Sequence, residues 1–348
     1  MTPDELTRTL DQMVKDGIKD SVMIWGPPGI GKSTVVAKVA QDNDMGLSDL
    51  RISQLAPTDL RGLPVADKEN EQAVWYPPKF LPREGRGILF LDEINMAPPA
   101  VMGIAQQLVL DRKVGEYVVP EGWFIWAAGN RKQDRAAVYE MPAPVANRFL
   151  HLEVDVDEAS FRAYATASGI AEQIIAFLSF RPPLIHRMDQ SSHAWPSPRT
   201  WFMANRLFRA GLPIYPAVGK ATADEFSSFL LIYKNPDMPD IEAVLEGRGD
   251  SIAFPGGADP SIRYATVTAL YTRLGKEPKV FVPRTMNAMK WLAQKGTPEW
   301  MQVFVTQMLV TAEQTRSKGL VITEINKDPV LKPVVMDAIR AAIGQGGG

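Results

Sequence analysis

Between Met23 and Ala40 the chain reads MIWGPPGIGKSTVVAKVA, and this run restricts the possible folds more than any other. Ser21 to Trp25 reads as a strand. Ser33 to Gln41 reads as a helix with Val35, Val36, Val39 and Ala40 on one side. Gly26-Pro27-Pro28-Gly29-Ile30-Gly31-Lys32-Ser33 fit G-x-x-x-x-G-K-[ST], with Thr34 next. Glycines let the backbone turn tightly enough for successive N–H groups to face one phosphate, and the helix N-terminus adds positive potential. Lys32 supplies a mobile charge for the outer phosphates, and Ser33 a hydroxyl for Mg²⁺. A chance glycine turn would lack the lysine and the flanking strand and helix. Kinases, G proteins, helicases, transporters and remodelling motors all hold phosphate this way, so the class must be decided elsewhere.

The rest of the first 155 residues continues the alternation of strand and helix. Thr2-Pro3-Asp4-Glu5 opens a helix, with Thr as cap, Pro at the first position and Glu at the third. Leu50 to Ser53, Ile88 to Leu91, Trp123 to Ala128 and Phe149 to Val154 read as strands, and Pro99 to Leu110 as a helix. Alternation of this kind predicts a parallel α/β sheet. The segment from Ala56 to Gly87 is rich in Pro, Gly and charge and reads as loops with a short hairpin near Gln72 to Tyr76. From about residue 156 the pattern turns helical. Helices are expected over 160–168, 171–180, 199–210, 217–233, 261–274, 283–294, 298–315 and 329–343, with a flexible GQGGG tail.

The bulk numbers agree with two domains or three: 348 residues, 45% apolar and 22% charged. Thirty-eight basic and 40 acidic side chains leave a net charge of −2, which gives no general attraction to nucleic acid or anionic lipid. With no cysteine, disulfides, thiolate metal sites and thiol catalysis are excluded. The charged N-terminus lacks the apolar core of a signal peptide, and no apolar run approaches the roughly 20 residues of a membrane span. A soluble, cytoplasmic protein is the expectation.

Four further elements carry chemistry. The run GILFLDEIN places Asp92-Glu93 at the end of a buried strand. There Asp92 would share Mg²⁺ with Ser33 and Glu93 would polarise an attacking water. FIWAAGN ends a second buried strand with Asn130, able to position that water or touch a phosphate, although Asn is also an ordinary turn residue. Arg148, in PAPVANRFLHLEV, stands just before a strand. It suits either a surface ion pair or a charge offered to a neighbouring copy's phosphate. Arg199, in WPSPRTWFMANRLF, falls in the first turn of a helix, against the helix dipole, where a purely structural reason for it is poor.

In this order the five elements resemble the AAA+ ATPases. Lys32 and Ser33 match Walker A, Asp92 and Glu93 Walker B, Asn130 sensor 1, Arg148 the arginine finger and Arg199 sensor 2. LAPTDLRGLPV, DEINMAPPAVMGIAQQLVLDRKV, ANRF and SPRTW look like the MoxR family, in the clade with an insert in its second helix. The resemblance covers about residues 20 to 210. It implies a P-loop parallel-sheet core over 1–155, with the insert at about 56–87 and a hairpin before sensor 1 at about 111–123. An all-α lid with a C-terminal helical extension would occupy 156–348. Gly26 to Thr34 and Asp92 would bind ATP, Ser33 and Asp92 would hold Mg²⁺, and Glu93, Asn130, Arg148 and Arg199 would serve catalysis. The implied assembly is a homo-oligomeric ring, usually a hexamer, that remodels a partner protein, often through a von Willebrand factor type A domain protein. Two departures stand out: Arg131 replaces the family's usual proline after Asn130, and the helical part from about residue 235 exceeds a minimal lid. Three rival readings stay open: a nucleic-acid motor or loader, a GTPase subunit of the McrB branch, and a nucleotide-dependent scaffold that barely hydrolyses. His151, His186 and His193 have no metal-site spacing. The aromatics of WFMANRLFRAG read as core, and Lys79, Arg83 and Arg86 as a solvated loop.

Overall fold

The computed structural model describes residues 1–131, 134, 139–189, 192–256, 260–275 and 277–344. The chain divides into two units, Met1–Asp157 and Glu158–Gly348.

The first unit opens with helix α1 (Pro3–Lys15), whose capping box pairs the Thr2 hydroxyl with the Glu5 N–H and the Glu5 carboxylate with the Thr2 N–H. Then follow β1 (Val22–Trp25), α2 (Lys32–Asp42), β2 (Gly46–Arg51), α3 (Pro57–Arg61), β3 (Leu63–Asp67), β4 (Gln72–Tyr76), β5 (Gly87–Asp92), α4 (Pro99–Asp111), β6 (Lys113–Val114), β7 (Tyr117–Val118), β8 (Trp123–Gly129), α5 (Ala143–Ala146) and β9 (Leu150–Glu153). Five strands form one sheet in the order β2-β5-β8-β1-β9, and every pairing in it is parallel.

Strand alternation divides the core between the two faces. Val22, Ile24, Ile88, Phe90, Phe124 and Trp126 pack with Leu6 and Leu10 of α1 and Val36 and Val39 of α2. Met23, Leu89, Leu91, Ile125 and Ala127 face the other way, onto Val101, Ile104, Ala105 and Leu108 of α4. Sheets covered on both faces need strands that are apolar along their buried length, as β8 is and as β5 is up to its terminal Asp92.

Two antiparallel hairpins project from this frame. β3 and β4 pair from Leu63↔Tyr76 to Asp67↔Gln72. At their base Gly62 has φ 90, and a Cβ there would lie 2.1 Å from the Tyr76 carbonyl, so only glycine fits. β6 and β7 form the smaller hairpin. It is pinned by Tyr117, whose hydroxyl donates to the Pro82 carbonyl at 2.6 Å and whose phenol is pushed up to about 12 by burial.

The second unit contains α6 (Glu158–Ala167), α7 (Glu172–Phe180), α8 (Pro198–Arg209), α9 (Tyr215–Val218), α10 (Lys220–Leu230), α11 (Ile241–Leu245), α12 (Pro260–Thr272), α13 (Pro278–Lys295), α14 (Pro298–Gln314), α15 (Lys318–Lys327) and α16 (Leu331–Gly344), with no strand among the described residues. Its core contains edge-on aromatics: Phe226 meets Phe177, Trp201 and Phe208. The Trp201 indole N–H donates to the Leu184 carbonyl at 2.7 Å. Arg273 clamps Glu172, and Arg284 reaches Glu242 at 3.0 Å. The chain is thus a parallel-sheet α/β unit followed by an all-α unit.

Several elements differ from the sequence expectation. The second strand is Gly46–Arg51 and not 50–53, because the ladder to β5 recruits polar residues of low strand propensity, while Ile52–Gln54 turns into a 3₁₀ helix. The helix expected over 217–233 is broken at Gly219 (φ 82), where a Cβ would meet the Ala194 carbonyl at 2.7 Å. The helix expected to begin at Pro283 begins at Pro278 and runs through Pro283. Pro283 lies on the exposed side, where the carbonyl it leaves unpaired can meet water. Helix α15, with only Val321 and Ile325 buried, has too narrow an apolar stripe to announce itself.

Candidate active site

Parallel pairing puts the C-terminal ends of β5, β8 and β1 at one edge of the sheet, side by side. In open α/β sheets this edge is where ligands bind. The loop leaving β1 begins at Gly26, whose N–H donates to the Gly129 carbonyl at the end of β8. Gly26 admits no side chain: a Cβ would stand 2.6 Å from the Val154 carbonyl and 2.7 Å from Ile30 Cδ1. Gly29 and Gly31 take φ values of 83 and 102, and they turn the chain into α2. That helix has no side-chain cap, and its positive N-terminus suits an anion.

Four of the residues singled out in the sequence meet here. The Lys32 ammonium donates to the carbonyls of Gly26 (2.7 Å) and Pro27 (3.1 Å) and to Asn130 Oδ1 (3.1 Å). The Ser33 hydroxyl donates to Asp92 Oδ2 at 2.7 Å. Glu93 follows at once, in the left-handed region with φ 57, its N–H on Asp92 Oδ1 at 2.9 Å. A non-glycine residue there is strained, and such strain concentrates at functional positions. Ile30 is buried under the loop, Pro28 is half-buried, and Thr34 is exposed on α2.

Three neighbours were not legible in the sequence. Ser53, just past β2, donates its hydroxyl to Glu93 Oε2. Asn95, buried, brackets the Asn130 backbone: its Nδ2 donates to the Asn130 carbonyl (2.8 Å) and its Oδ1 accepts the Asn130 N–H (3.2 Å). Gly129 makes room for it, since a Cβ there would lie 2.4 Å from Asn95 Oδ1. Asp49 of β2 is raised above the ordinary carboxylate range by desolvation and by the charges of Asp92 and Glu93. Only the position of Asn95, two residues past Glu93, offered a signal.

Arg131 bonds Asp134 and Asp155. The first of these bonds holds its guanidinium above its usual range. Arg148 does not join the loop. It is exposed on the turn between α5 and β9, and its backbone N–H donates to the Val145 carbonyl at 3.0 Å. Arg199 is exposed in the first turn of α8, in the second unit, behind a Ser197 cap whose hydroxyl accepts the Thr200 N–H.

Residues 21–122 match the family model described as "AAA domain (dynein-related subfamily)". This stretch is thus similar to an AAA domain, and the rest of the chain lies outside the match. The loop after β1 has the form that cradles phosphates. No curated protein matches the chain. Among solved structures it is similar to a single-residue mutant of RuvB from Thermotoga maritima, at 17% identity over 71% of this chain and 75% of that one, TM-score 0.40. It is also similar to NtrX from Brucella abortus in complex with ADP, at 14% identity over 93% and 67%, TM-score 0.39. No described helix is long and apolar enough to cross a membrane.

The residues at this sheet edge fit a magnesium ion. Ser33 and Asp92 offer a converging hydroxyl and carboxylate. Mg²⁺ favours one or two protein oxygens completed by water and substrate phosphate. Among the described residues no group of three His, Cys, Asp or Glu forms a denser cage.

Proposed function

We propose that the chain is an ATP-driven AAA+ ring ATPase of the MoxR type that remodels or activates a partner protein. One observation carries this reading: Lys32, Ser33, Asp92 and Asn130 converge by direct hydrogen bonds at a single sheet edge, with Glu93 one residue beyond.

Each role follows from position. The backbone from Gly26 to Thr34 wraps the phosphates and Lys32 neutralises their outer charge. Ser33 and Asp92 would hold Mg²⁺, which when bound offsets charge on the phosphate oxygens. Glu93 accepts the proton of the water that attacks the γ-phosphorus, and the Asn130 amide orients that water. Ser53 holds the Glu93 carboxylate until substrate is in place. Arg148 of a neighbouring copy supplies positive charge to the transition state, a role that its exposed turn supports. Arg199, on the helical unit, reports the nucleotide state.

In this reading 1–155 is the nucleotide-binding core and 156–348 a lid with a helical extension. The hairpin within 56–87 and the one within 111–123 face the pore or the partner. Assembly is a homo-oligomer, a hexamer by family pattern, in the cytoplasm, with a von Willebrand factor type A domain protein as partner. The test is a Glu93→Gln protein. It should bind ATP, form the ring and hold its partner for identification by mass spectrometry, while turnover is lost. Full turnover by a strictly monomeric sample would overturn the shared-site reading.

A further inference from the structure

Trp25 is the last residue of β1 and the immediate neighbour of Gly26, the first residue of the phosphate loop. Its indole N–H donates to Nδ1 of His151, on the adjacent strand β9, at 2.8 Å. The two rings stack with centroids 6.0 Å apart and planes 10° from parallel. The other ring nitrogen, Nε2, lies 2.7 Å from the Ala146 carbonyl at the end of α5. An indole nitrogen can only donate, so Nδ1 must accept. Nε2 therefore carries the hydrogen and donates to Ala146. These partners select one neutral tautomer and use both ring nitrogens.

Arg148 sits inside the loop that this second bond closes. His151 reaches back five positions to Ala146, around Asn147 and Arg148. The Arg148 N–H is tied to the Val145 carbonyl of the same last turn. Phe149, next to Arg148, is buried and its ring tilts against His151 at 6.2 Å. The strand that delivers the phosphate loop and the turn that carries Arg148 are thus joined through one imidazole.

We infer that His151 is the positioning residue for Arg148, tying its exposed turn to Trp25 at the root of the copy's own phosphate loop. This rests on the proposed role of Arg148 in a neighbouring copy's site. In that setting the link has a direction. A shift at one copy's loop root moves Trp25, then His151, then the arginine offered to the next copy. A misplaced charge at a reacting centre costs turnover more than binding.

The experiment compares His151→Leu, which loses both bonds, with His151→Gln, whose amide offers an acceptor and a donor. It measures nucleotide affinity, thermal stability and ATP turnover. His151→Leu should keep its affinity and lose turnover by about tenfold or more, and His151→Gln should retain most of it. Each is then mixed with Glu93→Gln subunits, which cannot hydrolyse but present an intact Arg148. Mixing should restore turnover to His151→Leu, as it should to Arg148→Ala, because the defect lies in what a copy gives its neighbour. Full turnover by His151→Leu alone overturns the inference. So does a defect that mixing leaves unrescued while Arg148→Ala is rescued, because that places the fault in the copy's own loop. Failure to rescue Arg148→Ala overturns the shared-site reading itself. If His151→Leu does not fold, Trp25→Phe, which removes only the first bond, should show the same rescue in milder form, and its absence counts equally against the inference.

Discussion

Ser53 and Glu93 lie 40 positions apart in the chain, yet the serine hydroxyl donates directly to the glutamate carboxylate. A carboxylate so engaged is less free to take a proton from water, and hydrogen bonds to charged groups are worth about 1.5–3 kcal/mol. Ser53→Ala should therefore raise basal ATP turnover by a few-fold to about tenfold, with nucleotide affinity unchanged. A steady-state phosphate-release assay decides it. A large fall would show that Ser53 presents Glu93 to the water and does not restrain it.

Glu93→Gln keeps the shape of the side chain and removes its basicity. Turnover should fall by at least about 100-fold, the usual contribution of a positioned general base. Equilibrium binding of a fluorescent ATP analogue should be retained, since Lys32, Ser33 and Asp92 are untouched. Residual turnover near the original rate would remove Glu93 from the base role.

Gly129→Ala places a methyl 2.4 Å from Asn95 Oδ1 and 2.7 Å from Met23 Cε. Asn95 must then release the Asn130 backbone, or β8 must shift. The expected cost is about 1–3 kcal/mol, visible as a lower Tm, together with reduced turnover from a displaced Asn130. An unchanged Tm would mean that the edge repacks freely.

Asp49 is raised by desolvation first and by Asp92 and Glu93 next. The folded state therefore holds the Asp49 proton more tightly than the unfolded chain does. Stability contributed at this position falls as pH rises through the ordinary carboxylate value of 3.8 toward neutrality. Asp49→Asn should match the parent below that value and exceed it at neutral pH, by at most about 0.5 kcal/mol because Asp49 is exposed and screened. Denaturant titrations of both proteins across this range, without nucleotide, give the comparison. An equal advantage at every pH would refute the electrostatic cause.

What could be read in advance was what is local. The phosphate loop is a contiguous pattern whose glycines, lysine and flanking elements all stand within 20 residues. β5 and β8 declare themselves because burial on both faces leaves no polar position before the Asp92 that ends β5. Ser53 was invisible, and Asn95 showed only by its place two residues past Glu93, because their importance lies in partners 40 and 35 positions away. β2 was displaced because its pairing with β5 outweighs the propensities of Gly46, Ser48 and Asp49. The break at Gly219 depends on an approach to Ala194 that no local pattern encodes.

The strand order has a consequence for how the protein is made. β1 has only β8 and β9 as neighbours, and β5 reaches β1 only across β8. During synthesis, residues up to 122 contain the whole phosphate loop and the Asp92-Glu93 pair, yet β1 has no strand beside it. β2 and β5 can join early, but the loop must wait until Trp123–Gly129 is made and slots between β5 and β1. A nascent chain halted just before Trp123 would thus display every Walker residue and still hold no nucleotide. The ribosome must finish β8 before the two halves of the site have anything to stand against.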